Sequence, residues 1–286
     1  MSYNHILIEE KIKDFLKEDC RFNDVSSQFI PEKPSVLAKI IAKSSGFISG
    51  LEETKILFDL LKVENINNIK DGEAVKKGDV VMELKGNPRS ILLGERTALN
   101  LLTHMSAITT TVKKYLAIVN MSGKKVKIAS TRKNLPGLRL FEKKAVSLAG
   151  LGADTHRFSL DDMILLKDTH LKYYNGDVEK LLNDVKKKAS FSKKIEIEIE
   201  KSEDVLIAVK NGADIIMLDN MNPKQVQTAL DSLRKENLRE KVIVEISGSI
   251  NFENIEEFLK AEPDVISMGN ITLFPSEQVD LSLKFE

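Results

Sequence analysis

Arg132, Lys133, His156, Arg157 and Lys167 place five potential cations in one stretch of a 286-residue chain. Arginine holds a carboxylate or phosphate with two parallel hydrogen bonds, and lysine acts as a compact point charge. Two acids, Glu198 and Asp219, follow further along. Five cations against one pair of carboxylates suit a polyanionic substrate, with a divalent metal held through phosphate and water as Mg²⁺ usually is. "SGS" at Ser247–Gly248 and "MGN" at Gly269 add backbone N–H groups that could take a phosphate. There is one cysteine, Cys20, and none of the four histidines has HExxH spacing. A disulfide framework, a cysteine-based zinc cluster and a Cys or Ser–His nucleophile are therefore not expected.

The elements that must carry these residues alternate. From about residue 125, short apolar strands ("KVKIAST", "DDMILLKDTH", "KIEIEIEK", "ADIIMLDNM", "VIVEISGSI", "DVISMGN") alternate with amphipathic helical segments. Strand–helix repetition implies a parallel sheet, and no GxGxxG follows the first strand, so a β/α barrel is expected over a dinucleotide-binding open sheet. In a barrel the chemistry sits at the C-terminal strand ends, and all six ends here are polar or glycine. "IEIEIE" (195–200) then reads in two directions: Ile195, Ile197 and Ile199 outward onto helices, Glu196 and Glu198 into the barrel. Lys127, Lys167 and Glu245 are expected to share that interior. Arg139 reads as a helix-surface residue and His104 as a core histidine. The His156–Arg157 pair could instead be an interface contact.

The first ~90 residues read as a smaller α+β unit: a helix over 5–18, a strand-like 36–50, a helix in "LEETKILFDLLKV", then short strands and turns. A long helical stretch from Gly94 is expected to break near Ser106. Lys plus Arg and Asp plus Glu are both 43, so no global field points to nucleic acid. The charged, amphipathic N-terminus is unlike a signal peptide and no apolar run is long enough to span a membrane. A soluble, cytoplasmic protein is expected.

"GERTALNLLTHMSAITT", "STRKNLPGLRLFEKKAV", "GADTHRFSLDDMILLKDTH", "IEIEIE", "ADIIMLDNM" and "VEISGSI" resemble, in order and spacing, the quinolinate phosphoribosyltransferases, also called decarboxylating nicotinate-nucleotide pyrophosphorylases. The resemblance covers roughly residues 10–272. It implies an α/β fold: an N-terminal α/β sandwich-like domain (1–112, completed by 273–286) and an incomplete, about seven-stranded α/β barrel (113–272). It implies transfer of phosphoribosyl from phosphoribosyl pyrophosphate to quinolinate with loss of CO₂ and use of Mg²⁺, in a homodimer with a shared active site or a hexamer of such dimers. By the same resemblance Arg132, His156, Arg157 and Lys167 hold quinolinate, with Arg96 reaching in from the partner. Lys133, Glu198 and Asp219 are catalytic, Glu198 and Asp219 also address the metal, and Ser247, Gly248 and Gly269 cradle the 5′-phosphate.

This chain departs from the family pattern at "AGLGADTHR", at Thr169, at Ser249 and at "GNITLFP", so the phosphate cradle has fewer glycines. The alternatives are a relative using nicotinate or another aromatic acid, and a non-catalytic barrel that binds a phosphorylated ligand. A single-carboxylate substrate would leave one of the four cations unpaired, and a non-catalytic barrel would be expected to lack Glu198 or Asp219.

Overall fold

The structure is a computed structural model that describes residues 4–31 and 35–286. Along the chain its strands are β1 (Val36–Ala42), β2 (Gly46–Phe47), β3 (Glu64–Asn68), β4 (Ala74–Val75), β5 (Val80–Gly86), β6 (Lys127–Ser130), β7 (Ala153–Asp154), β8 (Ile164–Leu166), β9 (Ile195–Ile199), β10 (Ile215–Asp219), β11 (Ile243–Ser247), β12 (Val265–Met268) and β13 (Leu281–Phe285). They fall into two compact units. One comprises residues 1–113, 134–151 and 271–286; the other comprises 114–133 and 152–270.

The first unit is built on an antiparallel sheet of order β13-β1-β5-β3. β1 alternates as a half-covered strand must, burying Ala38, Ile40 and Ala42 on one face. The helix His5–Asp19 is capped by Asn4, whose side chain accepts the Ile6 N–H, and it buries Ile8 and Ile12.

The long helix does not break at Ser106: it runs unbroken from Pro88 to Ser122, 35 residues. Ser106, Thr109 and Thr110 fall on one helical face, at i, i+3 and i+4. Their hydroxyls bond outward to the β2 segment. Ser106 Oγ accepts the Ser49 N–H at 2.9 Å, Thr110 Oγ1 accepts the Phe47 N–H at 2.9 Å, and Thr109 Oγ1 pairs with Ser49 Oγ at 2.8 Å. A hydroxyl occupied in this way does not compete for the helix's own backbone bonds.

The helix Arg139–Ser147 also groups with this unit. It carries Lys144, whose ammonium lies 2.5 Å from the wholly buried Glu53 and also meets Glu52. Burial pushes the Glu53 carboxyl up despite Lys144. Burial pulls Lys144 down, but Glu53 and Glu52 outweigh it, and its net shift is upward. Arg139 is not the surface residue expected: it is half-buried and its Nε is enclosed with no hydrogen-bond partner among the described residues. His104 is partnered, with Nε2 2.9 Å from Glu142 Oε1.

The second unit is a parallel seven-stranded sheet of order β7-β6-β12-β11-β10-β9-β8. β7 and β8 end the order without pairing, so the barrel is incomplete. Six of its strands match those read from the sequence. The seventh, β7, has two residues inside "GADTHRF", too few to leave a period. Every residue of β9 is buried, as expected of strands covered on both faces. Ile197 and Ile199 form core, and Glu196 and Glu198 line the interior. In register, Met217 of β10 lies opposite Glu198 on one side and Glu245 on the other. No helix among the described residues is long and apolar enough to cross a membrane.

Candidate active site

At the C-terminal strand ends of the second unit, charge is concentrated around β9. Lys167, just past β8, extends Nζ to Glu198 Oε1 at 2.7 Å. Its backbone N–H donates to His170 Nδ1 at 2.9 Å, which fixes the turn into the short helix that follows. Asp219 ends β10. Burial raises its carboxyl, the Glu198 charge raises it further, and Lys133 and Lys167 partly offset both. Glu198 and Asp219 are therefore a like-charged pair facing two lysines.

Arg157 is buried, 8% exposed. Burial and the neighbouring Arg132 pull its pKa down, while Glu196, Glu198 and Asp162 act against them. Arg132 itself has an enclosed Nε with no hydrogen-bond partner among the described residues. Two neighbouring guanidiniums, one with an enclosed donor that no described residue satisfies, are an arrangement suited to an anion.

Ser247, Gly248 and Gly269 lie at the adjacent ends of β11 and β12. Gly248 has φ +99°, and a Cβ there would stand 2.8 Å from Asn220 Cγ and 2.9 Å from Asn220 N. A Cβ on Gly269 would meet Lys133 Cδ at 2.5 Å, so its absence is what lets the lysine side chain pass. Ser249 adopts φ +47°, the left-handed backbone that a glycine would take at lower cost. The departure from a third glycine thus leaves the loop conformation in place.

The structure does not gather all the predicted residues. Lys127 begins β6 at the N-terminal end of the barrel; it borders the same cavity as Glu245, but its ammonium pairs with Asp154 at 3.0 Å and stays largely exposed. His156 takes the interior place. Its Nε2 lies 3.0 Å from Glu245 Oε2 and 3.4 Å from Glu196 Oε2. Against the opposing effect of burial, the two carboxylates favour a proton on Nε2, and Nδ1, which accepts the Arg157 N–H at 2.7 Å, carries none. Burial and Glu245 in turn raise Glu196. The proton this group retains belongs to the cluster as a whole. Sequence reading placed Glu196 and Glu245 in the interior but did not identify their partner. His156 lies in an irregular segment, and only the alternation in "IEIEIE" and "VEIS" marked the acids. Arg96 is in the first unit, exposed on the helix Pro88–Ser122.

A divalent cation fits the upper pair. Burial and the Glu198 charge disfavour the ionised form of Asp219, and a divalent cation held by this pair would offset that cost.

Comparison with known proteins decides the family. Residues 108–284 match the model of the quinolinate phosphoribosyl transferase C-terminal domain, and residues 24–106 that of its N-terminal domain. The chain belongs to the quinolinate phosphoribosyl transferase family. An Archaeoglobus fulgidus protein named "Probable nicotinate-nucleotide pyrophosphorylase (carboxylating)" is 45% identical over 92% of this chain and 98% of its own. The Dictyostelium discoideum nicotinate-nucleotide pyrophosphorylase (carboxylating) is 36% identical over 98% of this chain and 96% of its own. The solved Francisella tularensis nicotinate-nucleotide pyrophosphorylase superposes with TM-score 0.90 at 30% identity, covering 100% of this chain and 98% of that one. Family membership fixes the chain as α/β, an antiparallel-sheet unit with an incomplete parallel barrel, and as an enzyme.

Proposed function

We propose that this quinolinate phosphoribosyl transferase family member moves phosphoribosyl from phosphoribosyl pyrophosphate to quinolinate. Nicotinate mononucleotide, pyrophosphate and CO₂ are the products, and the role is in NAD biosynthesis. The relatives' name, nicotinate-nucleotide pyrophosphorylase (carboxylating), describes the same equilibrium from the other side. The observation that carries the reading is the Arg132–Arg157 pair, two repelling guanidiniums with an enclosed unpaired Nε. With Lys167 beside them, the set suits a diacid better than a single carboxylate.

The residues divide the work by charge. Arg132, Arg157 and Lys167 hold the two carboxylates and aim the pyridine nitrogen. As pyrophosphate leaves C1 of the ribose, positive charge builds on the ring, and the fixed carboxylates of Glu198 and Asp219 stabilise it. Lys133, whose charge acts on Asp219, faces the leaving group's negative charge. Mg²⁺, when held by Glu198 and Asp219 through phosphate and water, supplies further neutralisation of the pyrophosphate. The nitrogen lone pair then forms the bond to C1. The bond from ring C2 to its carboxylate breaks, CO₂ departs, and the electron pair left on C2, stabilised by the ring nitrogen cation, takes a proton. Ser247, Gly248 and Gly269 seat the 5′-phosphate.

Arg96, exposed and outside the barrel unit, is read as serving the site of a second copy, so the working form is a homodimer or a larger assembly of dimers. A single cysteine supports a reducing compartment, and the cytoplasm is the proposed location.

The test is pyrophosphate release from phosphoribosyl pyrophosphate with Mg²⁺, quinolinate against nicotinate, with CO₂ followed in parallel. Release and CO₂ with quinolinate alone support the reading. Release with nicotinate moves the substrate, and silence with both refutes the transfer.

A further inference from the structure

His156, Glu196 and Glu245 have the composition of a metal site, and their ligating atoms lie within 4.8 Å of one another. The hydrogen bonding excludes that use. A histidine bound to a metal through Nε2 carries its remaining proton on Nδ1 and donates it. Here Nδ1 accepts the Arg157 backbone N–H at 2.7 Å, so the ring proton is on Nε2, facing the carboxylates. With both nitrogens engaged inside the protein, the ring has no polar atom left for a substrate carboxylate either.

The backbone around His156 is tied down just as tightly. Its N–H donates to Asp154 Oδ1 at 2.8 Å, and Asp154 Oδ2 is held by Lys127 at 3.0 Å. His156 has φ +51°, the left-handed conformation that a side chain disfavours. Such a conformation persists only where the surroundings over-determine it. Glu196 and Glu245 are 0% and 2% exposed; among the described residues neither oxygen of Glu196 nor Oε1 of Glu245 accepts a hydrogen bond, and the imidazole stands 3.0 Å from Glu245 Oε2 and 3.4 Å from Glu196 Oε2. His156, Arg157 and Glu245 border a cavity of about 400 Å³ that also touches Lys127, Ile215 and Val265, the first residues of three strands. The cluster thus lies toward the end of the barrel opposite the reacting groups.

We infer that His156, Glu196 and Glu245 are positioning residues: the glutamates anchor the imidazole, and the imidazole fixes the backbone from which Arg157 reaches the diacid. The inference rests on the proposed activity for its kinetic readout and on geometry alone for the rest. It removes His156 from the set that touches quinolinate and gives two buried acids a role.

The test is a double-mutant cycle of His156→Asn and Arg157→Ala. Asparagine tolerates positive φ, so the backbone path is retained while the reach to Glu196 and Glu245 is lost. His156→Asn should raise KM for quinolinate roughly ten- to hundredfold, with KM for phosphoribosyl pyrophosphate unchanged and kcat within about threefold. In the Arg157→Ala background it should add little, because its effect runs through Arg157. Glu245→Gln, which still accepts the Nε2 proton, should keep most of the affinity that Glu245→Leu loses. An equal loss from His156→Asn in both backgrounds would make His156 a direct substrate contact and overturn the inference. Turnover that fails in the unmutated enzyme would refute the proposed activity instead. The geometry then stands on ¹⁵N NMR of the imidazole, where a proton on Nε2 alone is expected and a proton on Nδ1 overturns the clamp.

Discussion

Replacing Glu198 by Gln keeps the shape of the side chain and removes its charge. Two consequences follow from its neighbours. Lys167, 2.7 Å away, loses a counter-charge but keeps an acceptor, so its hold on the substrate acid should not weaken. The ribose cation loses a fixed anion. A unit charge about 4 Å away at an effective dielectric of about 20 is worth roughly 4 kcal/mol. Loss of one preorganised electrostatic partner costs about 3–4 kcal/mol in comparable sites. Both figures convert to a fall in kcat of about two to three orders of magnitude. The assay is steady-state pyrophosphate release with saturating Mg²⁺, with quinolinate affinity measured separately by calorimetry. A fall in kcat below tenfold, or a tenfold loss of quinolinate affinity, would refute the assignment of Glu198 to the transition state.

Asp219 should set an acid limb in kcat/KM at a pH above the ordinary aspartate value of 3.8, because burial and Glu198 raise it, and Glu198→Gln should move that limb down. A pH–rate profile of both proteins checks the direction. Lys144→Met strands the wholly buried Glu53 and should cost about 3–5 kcal/mol near neutral pH. Without Lys144 the folded pKa of Glu53 rises further above 4.5, so the loss should grow as pH rises from 5 to 7, and adding Glu53→Gln should recover most of it in urea unfolding. Mixed oligomers of Arg96→Ala and Arg157→Ala should regain part of the activity that each variant lacks alone. No recovery on mixing would count against a shared site.

Period and residue type made the barrel legible. Strands covered on both faces leave continuous apolar runs, and polar residues at their C-terminal ends stand out against them, which is how Lys167, Glu198 and Asp219 were located. The rest was hidden for particular reasons. Ser106 looked like a helix breaker because its compensating partner, Ser49, is 57 residues away in sequence. β7 was too short to show a pattern. His156 could be named but not aimed: residue type says that an imidazole will find a partner, while only the folded chain shows Glu245 and Glu196 occupying one nitrogen and the Arg157 N–H the other. Lys127 differs for a geometric reason: being first in its strand puts its ammonium at the N-terminal rim, where Asp154 takes it.

The helix Pro88–Ser122 bears on how such a protein can be cut and recombined. The two family models meet at residue 107, in the middle of this unbroken helix and not in a flexible linker. Met105, Ile108 and Val112 around that point are all fully buried. Domains that can be exchanged usually join through exposed, loosely packed chain. A chimera joined at residue 107 would place its seam inside a packed apolar stripe, where residues from two parents must fit the same neighbours. Useful crossovers should instead lie in exposed turns such as the one at Gly123, away from the point where the family models divide.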